Sequence, residues 1–377
     1  MNNNRLYIDI HILQTVPPSC INRDDVGAPK TAVYGGVTRA RVSSQSWKKA
    51  VRDIFSKELA ENEVGVRTKR IADMVAKEIY ALNPEYDKTA VKTDAEKVLQ
   101  LAGLQEKSTK AGKDAPLFFM SVSQAKALAK LVVEDEILKS DAKDMQKKKG
   151  TDPKAQKALT DNPAIDVALF GRMVADDPGL NTDATTQVAH AISTHKVENE
   201  FDYFTAVDDF PAEEKTDAGA GMIGTVEFNS STLYRYATVA VHDLQRKLGA
   251  ATAKAVGTFV DVFARAMPTG KQNTFANRTI PDAVLVTIRG DQPVNFVGAF
   301  ENPVKPKNGY FAGSVEQLIK KVNETYSDWL AEPEKSFVVG AALGAPDVLA
   351  ALGTTVEKVK LDALAKKIEE YLNDHTS

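Results

Sequence analysis

One cysteine, Cys20, stands in 377 residues, so no disulfide can close within the chain and no cysteine-clustered zinc or iron–sulfur site can form. No apolar run approaches the length of a membrane span. The N-terminus, MNNNRLYIDI, lacks a cationic region followed by an apolar stretch and a small-residue cleavage site, and a cytoplasmic protein is expected. Also missing are GxxxxGKS/T, GxSxG, HExxH and a GxGxxG after a strand, which removes the common phosphate-loop, hydrolase and dinucleotide signatures. The formal charge of -3 argues against a protein that coats duplex DNA, but a narrow channel neutralised by a few lysines stays compatible with it. No internal repeat is visible. With 43% hydrophobic and 26% charged residues, the chain reads as globular, long enough for two or three domains or one core with large insertions.

The most telling absence is local. Between Ala28 and Arg52 there is no Asp or Glu, while Lys30, Arg39, Arg41, Lys48, Lys49 and Arg52 all fall there. Such a window is either an ordinary solvated face or a seat for a polyanion. Gly35 and Gly36 allow positive φ and a close backbone approach. Ser43 and Ser44 sit at an N-cap position, because Trp47, Val51, Ile54, Phe55 and Leu59 then recur at helical spacing. The first turns of that helix present Gln45, Lys48, Lys49 and Arg52 beside free N–H groups and a positive dipole end, a phosphate-binding arrangement.

Along the chain, RLYIDIHILQ alternates apolar and polar residues, which predicts a half-buried strand with His11 on its polar surface, ended by Pro17 and Pro18. Stripes at Ile71, Met74, Val75, Ile79 and Leu82, and at Ala125, Leu128, Leu131, Val132 and Ile137, predict a helical insertion. Its charged connectors include Lys147, Lys148 and Lys149, read as a solvated run. Phe204 to Thr225 reads as a protruding hairpin or lobe. Strands are expected at Val226 to Phe228, at Thr232 to Val241, in DAVLVTIRG and in PVNFVGAF, with helices near 251–267, 315–331 and 355–372. The pattern is α+β, compatible with a ferredoxin-like core carrying insertions.

Two further basic clusters support the polyanion reading: TGKQNTFANR, with Lys271 and Arg278, and NPVKPKNG, where Pro306 stiffens a turn bearing Lys305 and Lys307. Interleaved with Met173, Phe204 and Phe275, these loops favour a single-stranded nucleic acid. His190 and His195 have the wrong spacing for one helical face, and no metal site is expected. Asp24 and Asp25 either assist phosphodiester cleavage with Mg²⁺ or cap the loop and pair with Arg23.

NRDDVGAPKTAVYGGVTRARVSSQSWKKAVR, IDVALFGRM, VAHAISTHKVENEFDYFTAVDD, GTVEFNSSTLYRYA, GKQNTFA and VKPKNGYF together resemble the backbone-subunit family (CasC-type, RAMP superfamily) of the type I-E CRISPR surveillance complex, Cascade. The resemblance implies a ferredoxin-like, RNA-recognition-motif-like palm at 1–60 and 224–377, helical fingers at 61–182 and a β-hairpin thumb at 196–223. It also implies a non-catalytic subunit without cofactor that oligomerises along the crRNA guide and presents it to target DNA. Its partners would be further copies of itself and the large, small, repeat-processing endoribonuclease and 5′-end capping subunits. Carried over, Lys30, Lys48, Arg52, Lys305 and Lys307 would hold guide phosphates with Gln45 nearby, and Met173 would stack on bases. Phe204 and Thr205 would act from the thumb, and Arg23, Lys49 and Lys271 would complete the basic track. The rival reading is a guide-directed RNA-cleaving subunit, as in type III relatives, using Asp24 or Asp25. A metabolic oligomer holding a small phosphate is a third.

Overall fold

The computed structural model describes residues 5–110, 115–134, 137–138, 151–174, 177–206 and 222–375. The chain divides into two compact units, one of Met1–Val51, Val188–Thr238 and Gly257–Ser377, the other of Arg52–Gln187 and Val239–Val256.

The first unit is built on a large mixed sheet whose central strand is Tyr7–Ser19, paired antiparallel with Ala283–Arg289 so that Ile10 faces Val286. Beyond Ala283–Arg289 lie Lys335–Val339, antiparallel, and Val356–Lys358, parallel at the edge. On the other side follow Met222–Ala240, Ala191–Ser193, Val37–Val42 and the edge strand Thr31–Tyr34. Ile8, Ile10 and Ile12 are fully buried. Contrary to the half-buried reading, so are Asp9 and His11, because this central strand is covered on both faces. Tyrosine hydroxyls make the polar burial tolerable: Tyr236 donates to Asp9 at 2.8 Å, and His11 Nδ1 lies 2.8 Å from the Tyr234 hydroxyl. Burial raises the Asp9 carboxyl to about 6 and lowers the His11 imidazole to about 3.

Three other expectations change. Pro17 and Pro18 do not end the first strand, since the ladder to Ala283–Arg289 stops at Leu13 and demands no N–H from them on that side. The two runs at 226–228 and 232–241 are one strand, Met222–Ala240. PVNFVGAF forms a 3-10 turn, Phe296–Phe300, because the Asn295 side chain accepts from the Val297 N–H and caps it. Helix Phe311–Asp328 packs Val315, Leu318 and Val322 with Leu285, Phe296 and Phe300.

In the second unit the two apolar stripes become helices Ile71–Leu82 and Val122–Val133, which share a core with Val91–Leu101 and Pro153–Thr160. Strands Gly65–Thr68 and Phe118–Ser121 pair beside them. Arg172 is buried against this unit, donating to the carbonyls of Phe119, Leu159 and Leu180, and burial lowers its pKa to about 10. The Lys147–Lys149 run and residues 207–221 of the expected thumb lie outside the described residues.

Candidate nucleic-acid interface

The acid-free window folds into a hairpin, Thr31–Tyr34 against Val37–Val42, followed by helix Ser44–Glu58. Gly35 at φ +59° and Gly36 at φ +75° supply the two positive-φ positions that a tight two-residue hairpin turn requires. A Cβ at Gly35 would stand 1.7 Å from the Glu301 carbonyl oxygen, so the turn is pressed against the segment leading to Lys305. Tyr34 Oη donates to the Val297 carbonyl at 3.4 Å.

Arg39, one of the six cations of the acid-free window, is fully buried. Its guanidinium donates to the carbonyls of Tyr34 (3.1 Å), Ser193 (3.1 Å), Phe300 (2.8 Å) and Glu301 (3.3 Å). It therefore braces the hairpin to the Phe300–Lys307 segment. Nothing in VTRARV separates Arg39 from Arg41, because both fall on the same face of the strand.

Ser43 receives the Trp47 N–H on its carbonyl, and its own N–H is held by Asn22 Oδ1 at 2.8 Å. The first helical turn contains no acid, and Gln45 on it and Lys49 on the next turn are exposed. Lys48 is half-buried, and desolvation lowers its pKa. Lys30, also half-buried, ties back through its N–H to the Asn22 carbonyl, so the loop and helix start share one anchor.

The second basic loop leaves Lys305 and Lys307 exposed on either side of Pro306. The loop is held by the Val304 N–H on the Thr194 carbonyl, and Tyr310 stacks on His195 with ring centroids 3.5 Å apart. Beside it opens a cleft of about 520 Å³ lined by Val37, Lys196, Glu198, Lys305, Pro306 and Tyr310. His195 is structural: Nε2 takes the Thr232 N–H at 3.1 Å and Nδ1 lies 2.7 Å from the Lys196 carbonyl. His190 lies 3.2 Å from an Arg41 nitrogen, and burial, then Arg41 and Lys30, lower its pKa. Among the described residues no cluster of His, Cys, Asp or Glu could hold a metal ion.

Lys271 adopts the left-handed conformation, at φ +49°, after Gly270, which packs so close to the Cys20 and Ile21 carbonyls that no Cβ would fit. Burial raises the Cys20 thiol, and Arg23 and Lys271 pull it back, which places both cations around one loop. Arg23 is exposed and bridges to Pro29. Phe275 lies 5.7 Å, centroid to centroid, from Phe228. Asp24 is already engaged, its Oδ1 accepting the N–H groups of Val26 (3.1 Å) and Ala28 (2.9 Å), while Asp25 is exposed.

Phe204 and Thr205 belong to strand Glu200–Ala206, exposed along its whole length, where Phe204 pairs with Gly224 and lays its ring over that glycine. Met173 and Arg52 belong to the second unit. Met173 is 84% exposed. Arg52 is half-buried, with Nε 2.9 Å from the buried Asp166, a partner 114 residues away that no local pattern links to it.

A family model described as CT1975-like protein matches residues 8–367. Among solved structures, the chain is similar to one in a "CRISPR RNA-guided surveillance complex, pre-nicking", with 32% identity and a TM-score of 0.77 over 97% of this chain and 99% of that one. A chain of another "CRISPR RNA-guided surveillance complex" matches with 28% identity and a TM-score of 0.61, again over 97% and 99%. No curated protein matches the chain.

Proposed function

The chain belongs to the CT1975-like protein family, and from that premise we propose that it is a non-catalytic crRNA-binding backbone subunit of a cytoplasmic type I-E CRISPR surveillance complex. Several copies would line one guide and present it to target DNA, alongside the other subunits of the complex. The proposal takes the sheet unit as an RNA-recognition-motif-like palm, the helical unit as fingers and the Glu200–Ala206 hairpin as the root of a thumb. Its strongest support is the brace at Arg39, which ties the hairpin leading into the helix of Lys49 to the segment leading into the turn of Lys305 and Lys307. Lysines on a rigid frame grip a backbone by charge and leave the bases to be read by pairing, so specificity belongs to the guide. Pre-ordering the guide also lowers the entropic cost of that pairing. Engagement of Asp24 Oδ1 with two backbone N–H groups favours its loop-capping role over cleavage.

The test is the Lys305→Glu, Lys307→Glu double variant. Both side chains are exposed, so it should fold as the wild type yet copurify without guide RNA, read as the 260 to 280 nm absorbance ratio. An unchanged RNA load refutes the proposal. Mg²⁺-dependent cutting of guide-complementary RNA, abolished by Asp24→Ala or Asp25→Ala, would establish the cleaving alternative.

A further inference from the structure

Two guanidinium groups share one phenylalanine ring in the second unit. Arg67 stands directly across the strand pair from Phe119, with its Cζ 5.0 Å from the ring centroid, and Arg52 lies over the same ring at 4.3 Å. Among the described residues one carboxylate, Asp166, joins this cluster, and it is already occupied. Its Oδ2 takes Arg52 Nε at 2.9 Å and its Oδ1 takes the Gly65 N–H at 2.7 Å. Arg52 Nη2 donates to the Gly65 carbonyl at 3.2 Å. Among the described residues, Arg52 Nη1 has no hydrogen-bond partner, and the Arg67 guanidinium has neither a hydrogen bond nor a carboxylate within ion-pair distance.

The cluster thus carries two cations and one anion, with the unmatched charge on an exposed arginine held against an aromatic ring. Burial, then repulsion from Arg52, lowers the Arg67 pKa, so its position works against the charge it carries. A free surface arginine would relieve this by swinging into water. An anion placed on the open side would relieve it too, and would receive planar N–H forks matched to paired oxygens.

We propose that Arg67, with the open edge of Arg52, forms a phosphodiester-binding fork in the second unit, and that Asp166 and Phe119 fix the fork's geometry. This rests on the reading of the chain as a guide-binding subunit, and it adds to that reading a phosphate contact through Arg67. Asp166 acts as a positioning residue, since it holds Arg52 and would not touch the ligand.

The experiment measures binding of the full chain to single-stranded RNA, and to the same RNA paired with complementary DNA, by fluorescence anisotropy across a salt series. Arg67→Gln should lower the slope of log affinity against log salt by about 0.7 to 1, the share of one phosphate contact. Arg67→Lys should keep the slope but weaken binding, because it retains the charge and loses the fork, and it decides the matter should the Gln variant misfold. A reduced slope with RNA alone assigns the phosphate to the guide, and a reduction seen only with the hybrid assigns it to the DNA strand. Wild-type slope and affinity in both variants on both probes overturn the fork and leave the RNA-binding role intact. A wild-type chain that binds neither probe overturns the RNA-binding role itself.

Discussion

Arg39→Met removes the brace while keeping most of its volume, so the effect is on hydrogen bonding and not on a cavity. The guanidinium serves four carbonyls, and the contacts to Ser193 and Phe300 are buried. A buried acceptor left without a donor costs about 1–3 kcal/mol, and the pair therefore about 2–6 kcal/mol. Removing a buried cation that pairs with no carboxylate among the described residues offsets part of this, and burial does lower the Arg39 pKa. A net loss of about 2–4 kcal/mol is expected. Both tryptophans, Trp47 and Trp329, lie in the first unit, so the urea midpoint of tryptophan emission reports the loss where it occurs. Because the brace joins the hairpin before the helix to the segment before Lys305, RNA affinity should fall in native buffer although no lysine is altered. A variant with wild-type midpoint and wild-type RNA affinity would refute the role assigned to Arg39.

Gly35→Ala should destabilise the same unit, since it combines φ +59° with a clash on the Glu301 carbonyl, whereas Gly36→Ala, with open space around it, should cost only about 1 kcal/mol; urea midpoints separate the two. Arg172→Met should loosen the second unit, seen as faster amide exchange in helix Pro153–Thr160 with tryptophan emission unchanged. Asp9 and His11 make opposed pH predictions. The raised Asp9 pKa gives a contribution that is fullest below pH 3.8 and is lost as pH rises toward 6, while the lowered His11 pKa gives one that is present above 6.5 and is lost as pH falls toward 3. The two slopes cancel between about pH 4 and 6 in the wild type. Asp9→Asn should leave stability rising with pH there, by up to about 1.4 kcal/mol per unit, and His11→Gln should leave it falling, as read from denaturation midpoints.

Local pattern in the sequence was enough to locate most elements. Alternation found the central strand, and helical stripes found Ile71–Leu82 and Val122–Val133, because each signal lies within one segment. What escaped depends on partners far along the chain. Asp9 and His11 look like a polar face until Tyr236 and Tyr234, more than 220 residues on, bring their hydroxyls to them. PVNFVGAF has the composition of a strand, and the Asn295 cap turns it into a helical turn. The candidate site shows the same division. Lys49, Lys305 and Lys307 face solvent as their loops implied, but whether a basic residue is contact or scaffold was hidden, since Arg39 meets its carbonyls and Arg52 its acid only in the folded chain.

The buried scaffold and the positions of Lys49, Lys305 and Lys307 also use different cations. Arg39, Arg172, Arg235 and Arg289 are each at most 4% exposed, while Lys49, Lys305 and Lys307 stand in solvent. A planar fork suits a partner fixed in place, whether a buried carbonyl or a phosphate seated against the Phe119 ring, and a flexible ammonium suits a backbone whose phosphates shift in position. Exchange is therefore one-way: lysine can become arginine on the outer loops with the charge kept, but a buried arginine reduced to lysine loses the geometry that holds its neighbours. Amine-directed labelling would by the same logic reach Lys49, Lys305 and Lys307 in the folded chain, and guanidine-directed labelling would reach these four arginines only after the fold had opened.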